Sequence, residues 1–463
     1  MMKKIIDSIN NKRNGLDKDD KNIIINIIES FGIKGLSLIL SFFTMPIYIR
    51  FFENQTVLGV WYTLLSVMNW VTFFDLGLGN GLRNKLPFLL INNDVKKTRE
   101  YISSTYFSVL MISGLWAIVG NILISLLNWN SILNISSKTI SDSAIILSLR
   151  IVLLGILVQF IFKLITSILY AMQKPAVINF LTLLTTVLTL ALVSISPSEN
   201  ASKNLVTMSI INAIAINVPY LFATIVVFAK YLKGCFPNIK FFNIKCAKEV
   251  TREGLVLLWL SIVWMVISNT NELLISMLSG PADVVTFQAY NKIFSTVGSL
   301  FTLALSPMWS AVTKAYAEFK YKWISKTNNF LLKLSLVVFI VELAIVPFLQ
   351  FAINIWLGKD YIIVNYLIAV IFVISSTLSY VHNVNTSFGN GISYYKVQVI
   401  WMTVAAAVDI PLAYFFVNML RSWVGVTLAN IVAIIPYEII EIWKFNKLIN
   451  KNFLNNSVKE EMK

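Results

Sequence analysis

Twelve apolar runs of roughly 20 residues follow one another along this chain, and the basic residues sit almost entirely on one side of them. Each run is long enough to cross the hydrocarbon core of a bilayer as a helix. In that core every backbone polar group must be bonded internally, so helices are the expected spanning form. The runs are 23–49, 57–80, 101–127, 142–169, 176–196, 204–229, 253–279, 284–311, 328–351, 361–382, 394–417 and 423–443. With 57% hydrophobic and 13% charged residues, no stretch between them holds a soluble domain with its own core. The expected fold class is therefore an all-α, polytopic membrane protein, with about twelve transmembrane helices in two six-helix halves around a central cavity.

Orientation follows from Lys and Arg placement. Basic residues crowd the segment 1–22, the loop with Arg83, Lys85, Lys96, Lys97 and Arg99, the linker 230–252, the loop with Lys314, Lys320, Lys322 and Lys326, and the tail 444–463. All fall on one side of an alternating twelve-span path. The other side holds little more than Arg50, Lys138, Lys203, Lys359 and Arg421. Both termini are expected in the cytoplasm. The net charge of +15 is then topogenic. It is not read as a nucleic-acid patch, although anionic lipid headgroups would attract these loops. The polar start and the length of the first apolar run argue against a cleavable signal peptide. Cys235 and Cys246, on the reducing side, argue against a disulfide framework, and the single histidine, His382, is too far along the chain to complete a zinc site with them. No metal or cofactor is expected.

The linker divides the chain into an N-lobe, 23–229, and a C-lobe, 253–443. The turns Leu169–Pro175 and Ser387–Ile392 occupy the same place in the two halves, and spans two and eight both end in a polar, basic loop. A six-helix repeat of unchanged orientation places an axis along the membrane normal and a site between the lobes. Pro46, Pro219, Pro307, Pro347 and Pro436 mark bends within spans.

The richest local string, Phe73-Phe74-Asp75-Leu76-Gly77-Leu78-Gly79-Asn80-Gly81-Leu82-Arg83-Asn84-Lys85-Leu86, ends span two. Its glycines do not make a nucleotide loop, because no strand precedes them. They read as a softened helix end that packs closely and presents Arg83 and Lys85 beside Asp75.

This string, with Pro46-Ile47-Tyr48-Ile49-Arg50 and Gly59-Val60-Trp61-Tyr62 before it, resembles the Wzx-type polysaccharide (O-antigen) flippases. That family belongs to the multidrug/oligosaccharidyl-lipid/polysaccharide exporter superfamily. The resemblance spans the whole chain in architecture. It implies export of an undecaprenyl-pyrophosphate-linked oligosaccharide, an O-antigen or capsule repeat unit, from the cytoplasmic to the outer leaflet. The implied partners are that glycan lipid, the bilayer, and an O-antigen polymerase with its chain-length regulator.

Charges inside the spans point the same way. Lys34 lies roughly 16 Å into span one, and Arg150 and Lys292 lie roughly 12 Å below the outer face. Cations at such depth need protein, water or a counter-ion. A pyrophosphate is one fitting partner. An internal pair is the other, with Glu29 for Lys34 and with Glu272 or Asp283 for Lys292. Arg50, Arg83 and Lys85 at span ends join this substrate-binding set. Lys163 and Lys333 lie where snorkelling accounts for them. The intramembrane acids are Glu272, Glu342 and Asp409. Glu272, next to the polar stretch Asn269-Thr270-Asn271, and Asp75, at the end of span two, are the expected ion-coupling residues. Asn269 and Asn291 are placed to bond sugar hydroxyls. Trp61, Tyr62, Trp70, Trp264 and Tyr290 are the aromatic residues a cavity would use for stacking.

Two other classes compete. An extruder of cationic drugs would want an acidic lumen. A membrane glycosyltransferase or polymerase would need an external loop bearing acids or bases. The first external loop is only Phe51–Thr56, and the longest, about 128–141, carries just Lys138 near its end, so the chain is not expected to be an enzyme.

Overall fold

A computed structural model describes residues 18–72, 77–92, 94–172, 174–252, 255–305 and 308–461. Helices are the regular structure of the described residues, and twelve long ones run back and forth through the molecule. They are α1 (Lys18–Phe52), α2 (Gln55–Thr72), α3 (Val95–Leu126), α4 (Asp142–Ala171), α5 (Pro175–Ile195) and α6 (Ala201–Val226) in the first half. The second half has α7 (Leu255–Ser268, resumed as Asn271–Leu278), α8 (Pro281–Leu305), α9 (Tyr321–Ile345), α10 (Tyr366–Gly391), α11 (Thr403–Leu420) and α12 (Val424–Glu461). All twelve expected spans are present.

Ten of these elements are long and apolar enough to cross a membrane by length and composition. The two that are not are α2 and α8. They hold the same place in the two halves, and they pack against each other. The reason is positional. Helices that face lipid carry apolar stripes, such as Leu115, Ile118, Ile122 and Leu126 on α3. Helices at the meeting of two halves face protein and carry Ser66, Trp70, Gln288 and Asn291 instead. The pairing within each half is also shared. α1 packs on α5, α3 on α4, and α4 on α6; α7 packs on α11, α9 on α10, and α10 on α12.

Several ends differ from the sequence expectation. Span two stops at Thr72, and a separate helix, Leu78–Ile91, follows a turn at Gly77, where φ is +65°. The polar loop expected there is helical because Leu78, Leu82 and Leu86 recur every fourth residue and bury together. Arg83 and Lys85 therefore ride on this short helix. Asp75 lies outside the described residues. A second short helix, Met308–Ala317, follows α8 in the matching position. Lys96, Lys97 and Arg99 belong to the first turns of α3, and α12 continues to Glu461 without a separate tail segment.

Of the expected bends, Pro347 lies in a 3-10 turn, Val346–Phe348, that interrupts span nine before Leu349–Leu357. Pro46, Pro219 and Pro436 sit inside unbroken helices, and Pro307 is outside the described residues. The linker carries an amphipathic helix, Ile244–Arg252, docked on α3. Backbone N–H groups of Asn238 and Asn243 donate to Ser103 Oγ and Ser104 Oγ, and Arg99 lies 4.0 Å over the Phe241 ring. Both cysteines are buried in this linker and unbridged.

Candidate functional site

The two halves are joined by a polar seam between α2, α7 and α8. Span seven breaks at Asn269–Thr270, which leaves the Asn269 carbonyl outside the helical ladder. Ser66 Oγ (2.5 Å) and Trp70 Nε1 (2.9 Å) donate to it. The Glu272 side chain sits behind this break. Ser66 Oγ, whose one proton is shared with the Asn269 carbonyl, lies 2.9 Å from one carboxylate oxygen, and Gln288 Nε2 donates to the other at 2.6 Å. Thr63 Oγ1 reaches the Glu272 carbonyl at 3.4 Å. Glu272 thus ties all three helices together at the boundary between the halves.

The seam continues toward the face opposite the basic loops. A Cβ on Gly59 would sit 1.6 Å from the Pro281 carbonyl oxygen, so α2 and α8 touch backbone to backbone there. Only glycine permits that approach. Trp356 Nε1 donates to the Phe42 carbonyl of α1 at 2.8 Å, and Ser276 Oγ to the Leu133 carbonyl at 2.9 Å. These hydrogen bonds lie on the side of the molecule away from the basic face. The halves are latched on that side.

Beside the seam a cavity of about 280 Å³ opens among α7, α8, α10 and α12. Its walls are Trp264, Phe287, Phe294 and Phe372, and its polar groups are hydroxyls and amides, among them Ser268, Asn271, Asn291, Ser375, Asn383, Thr427 and Asn430. Among the described residues, no Lys, Arg, Asp or Glu lines it. Asn291 lines it, as the sequence suggested, while Asn269 belongs to the seam. Of the five aromatic residues singled out in the sequence, Trp264 alone is a cavity wall. Trp61 is fully buried in the core, Tyr62 packs beside Tyr48, and Trp70 bonds the seam. Tyr290 packs beside Phe372, its hydroxyl accepting from the Asn365 backbone N–H at 2.8 Å.

The structure does not gather the expected cations into one lumen. Arg150 is exposed among Leu147, Leu154 and Val158, an apolar stripe of α4, and donates to Ser125 Oγ of α3 at 2.9 Å. Arg50 is exposed at the end of α1 beside a separate pocket with Glu53 and Ser196. Arg83 is exposed and stacks 4.1 Å over the Tyr170 ring, and Lys85 is half-buried on the same short helix. The Lys34 side chain is outside the described residues. Lys292 is half-buried one turn below Gln288 on α8. Neither acid proposed as its counter-ion takes that role. Glu272 is occupied by Ser66 and Gln288, and Asp283 by Ser279. Among the described residues of the set, Lys292 is the cation that stands beside the seam, on α8.

Sequence reading missed two buried acids, Glu438 and Glu441, and gave His382 no role. His382 Nδ1 lies 3.1 Å from Glu438 Oε1, and Asn385 Nδ2 donates to Glu438 Oε2 at 2.6 Å. Their spacing was a signal: His382 and Asn385, like Glu438 and Glu441, are three apart and so share a helix face. Glu342 accepts from Ser376 and Tyr380, and Asp409 accepts from Asn430 at 2.7 Å. Both are bonded structural acids in this arrangement.

No protein-family model and no curated protein matches the chain. Solved structures do. One described as the inward-facing conformation of a multidrug resistance MATE family transporter of the MOP superfamily matches with a TM-score of 0.75 at 14% identity, over 92% of this chain and 99% of that one. The outward-facing conformation of such a transporter matches at 0.62 and 15%, over 93% and 96%. A MOP superfamily transporter from Pyrococcus furiosus Vc1 (DSM3638), whose reverse polarity of binding pocket was taken to suggest a different function, matches at 0.62 and 16%, over 92% and 96%. The chain has the fold of these transporters.

Proposed function

We propose that this protein is a flippase that moves a polyprenyl-pyrophosphate-linked oligosaccharide from the cytoplasmic to the outer leaflet by alternating access between its two six-helix halves. The observation that carries the reading is the cavity. Aromatic walls with hydroxyl and amide groups, and no charged side chain among the described lining residues, suit a sugar ring, which offers apolar faces for stacking and hydroxyls for hydrogen bonds. A cationic drug would find no carboxylate there. The string ending span two supports the same family, and the fold of the solved transporters supports transport itself.

The mechanism follows from the latch. With the basic face in the cytoplasm, the halves are closed on the outer side by the α2–α7–α8 seam, so the cavity is reached from within. Breaking the Ser66, Trp70 and Glu272 bonds would open that side, and rocking of the halves would close the other. The glycan would cross beside α8 while the polyprenyl tail stayed in lipid. Among the described residues, Lys292 is the cation that α8 offers to the pyrophosphate. An inside-negative potential favours outward movement of that anion by about 2.3 kcal/mol per charge per 100 mV.

A second reading, a multidrug extruder, is favoured by one observation: the solved transporters that share this fold include multidrug ones. Cavity substitutions separate the two. Asn271→Leu and Asn291→Leu remove polar groups and add apolar surface. A sugar site loses export of the lipid-linked glycan; a site for apolar drugs keeps or gains drug resistance. Unchanged glycan export in both variants, at matched protein levels, would contradict the proposal.

A further inference from the structure

The second half holds every buried Glu or Asp of the described residues: Glu272, Glu342, Asp409, Glu438 and Glu441. Four of these accept only from hydroxyl or amide donors. Glu438 differs, because it meets the chain's single histidine. His382 and Glu438 side chains are 6% and 3% exposed, so neither is solvated by bulk water. The imidazole also lies flat on the Trp264 indole, with ring centroids 3.9 Å apart and an interplanar angle of 6°. Trp264 is itself a wall of the cavity, and Asn383, next to His382, and Ile434, one turn before Glu438, line it too.

The chemistry of this stack is specific. A carboxylate in a low-dielectric interior must be protonated or paired, and Glu438 is held by the Asn385 amide and by His382, the latter more strongly when the imidazole carries the proton. When that proton is on the imidazole, Glu438 neutralises its edge and the indole face, the best aromatic partner for a cation, holds its plane. When it leaves the ring, the attraction holding Trp264 in place weakens. The titratable neighbours are accounted for. On α12 these are Glu441, bonded to Gln398 at 3.5 Å, and Tyr437, whose ring lies 5.7 Å from the imidazole. Tyr380 on α10 bonds Glu342 of α9, Asp409 of α11 bonds Asn430, Tyr395 packs at the start of span eleven, and α8 presents Lys292 nearer its outer end. No Lys or Arg among the described residues bonds the pair.

We propose that His382 and Glu438 form a proton-binding site whose occupancy sets the position of Trp264, and through it the shape of the cavity. That protons moving through this site drive export rests on the flippase reading above.

The site is tested without transport. Full-length protein in lipid nanodiscs is titrated between about pH 5 and 8, where histidine charges, and Trp264 emission is taken as the difference between wild type and Trp264→Phe. A protonated imidazole stacked on an indole quenches it. The expected result is one sigmoidal loss of the Trp264 signal as pH falls, absent in His382→Gln and displaced in Glu438→Gln. A signal flat with pH in monodisperse protein, or one that titrates alike in wild type and His382→Gln, overturns the site. If His382→Gln does not fold, Glu438→Gln carries the same test, and an unmoved transition overturns the proposal. Coupling is tested in vesicles loaded with undecaprenyl-pyrophosphate-linked trisaccharide, with a pH gradient imposed at zero potential. Wild type should flip the lipid severalfold faster with the gradient, and His382→Gln should show no such gain. An equal gain in both overturns the coupling. Vesicles in which wild type flips no glycan lipid count against the flippase reading, and the nanodisc titration still decides the proton site.

Discussion

At the scale of single residues, Glu272 and Lys292 define what the seam does. Glu272 accepts two hydrogen bonds, one from Ser66 and one from Gln288. A glutamine there turns one acceptor into a donor facing another donor. Leaving buried groups unpaired costs about 1–3 kcal/mol. Glu272→Gln should therefore loosen the latch and reduce glycan display more than Asp409→Asn, which touches only Asn430. Equal, near-normal display in both variants at matched membrane levels would remove Glu272 from the mechanism. The cations divide in the same way. Arg150 bonds Ser125 on an exposed apolar stripe, whereas Lys292 lies by the seam with its expected counter-ions engaged elsewhere. Lys292→Ala should strongly reduce export, and Arg150→Ala should leave it close to wild type. The reverse order in a display assay would move the headgroup site out to the edge of the first half.

At the scale of elements, helix existence was legible in the sequence and helix ends were not. The twelve apolar runs mark the spans because lipid demands them. The ends moved because burial in protein, unlike burial in lipid, does not demand an unbroken apolar run. His382 sat at the edge of a span drawn by apolarity, 361–382, yet α10 runs on to Gly391, which sets His382 inside the bundle. Glu438 was equally hidden, since α12 continues to Glu461 and its acids face protein. The short helix Leu78–Ile91 was obscured by Arg83 and Lys85 standing between its buried leucines. Close approach has its own test. Gly59→Val places side-chain atoms where the Pro281 carbonyl lies, and overpacking of this kind costs about 1–3 kcal/mol. The variant should lower the thermal midpoint and make the outer ends of α2 and α8 accessible to a water-soluble probe. An unchanged midpoint and unchanged accessibility would mean that the α2–α8 contact is not the latch. The linker makes a prediction of pH dependence. Burial pushes the Cys235 and Cys246 thiols up. The thiolate is the reactive form, so an impermeant maleimide should label both slowly near neutral pH and faster as pH rises, and only in opened cells. Rapid labelling in intact cells would invert the orientation.

At the scale of the whole molecule, the two halves share helix pairings but not chemistry. The first half buries no Asp or Glu among the described residues, and the second half buries five. An architecture of repeated halves thus holds one half rich in titratable groups, with the uncharged cavity, and another that closes against it through α2. The sequence carried the repeat only in its turns and in the matched breaks after spans two and eight. Its resemblance to the flippases rested on one string, of which Phe73–Leu76 lie outside the described residues. It did not carry the cavity, because that surface is assembled from four helices whose polar residues are spread from Trp264 to Ile434.

The central claim is the substrate, and one reconstitution addresses it directly. Purified protein is placed in vesicles with an undecaprenyl-pyrophosphate-linked oligosaccharide, and arrival of the glycan at the opposite leaflet is followed by lectin capture. A parallel set is loaded with a fluorescent cationic drug. The account predicts faster movement of the glycan lipid than in protein-free vesicles, lost in Asn291→Leu, and no accumulation of the drug. Drug transport with no movement of the glycan lipid would contradict it.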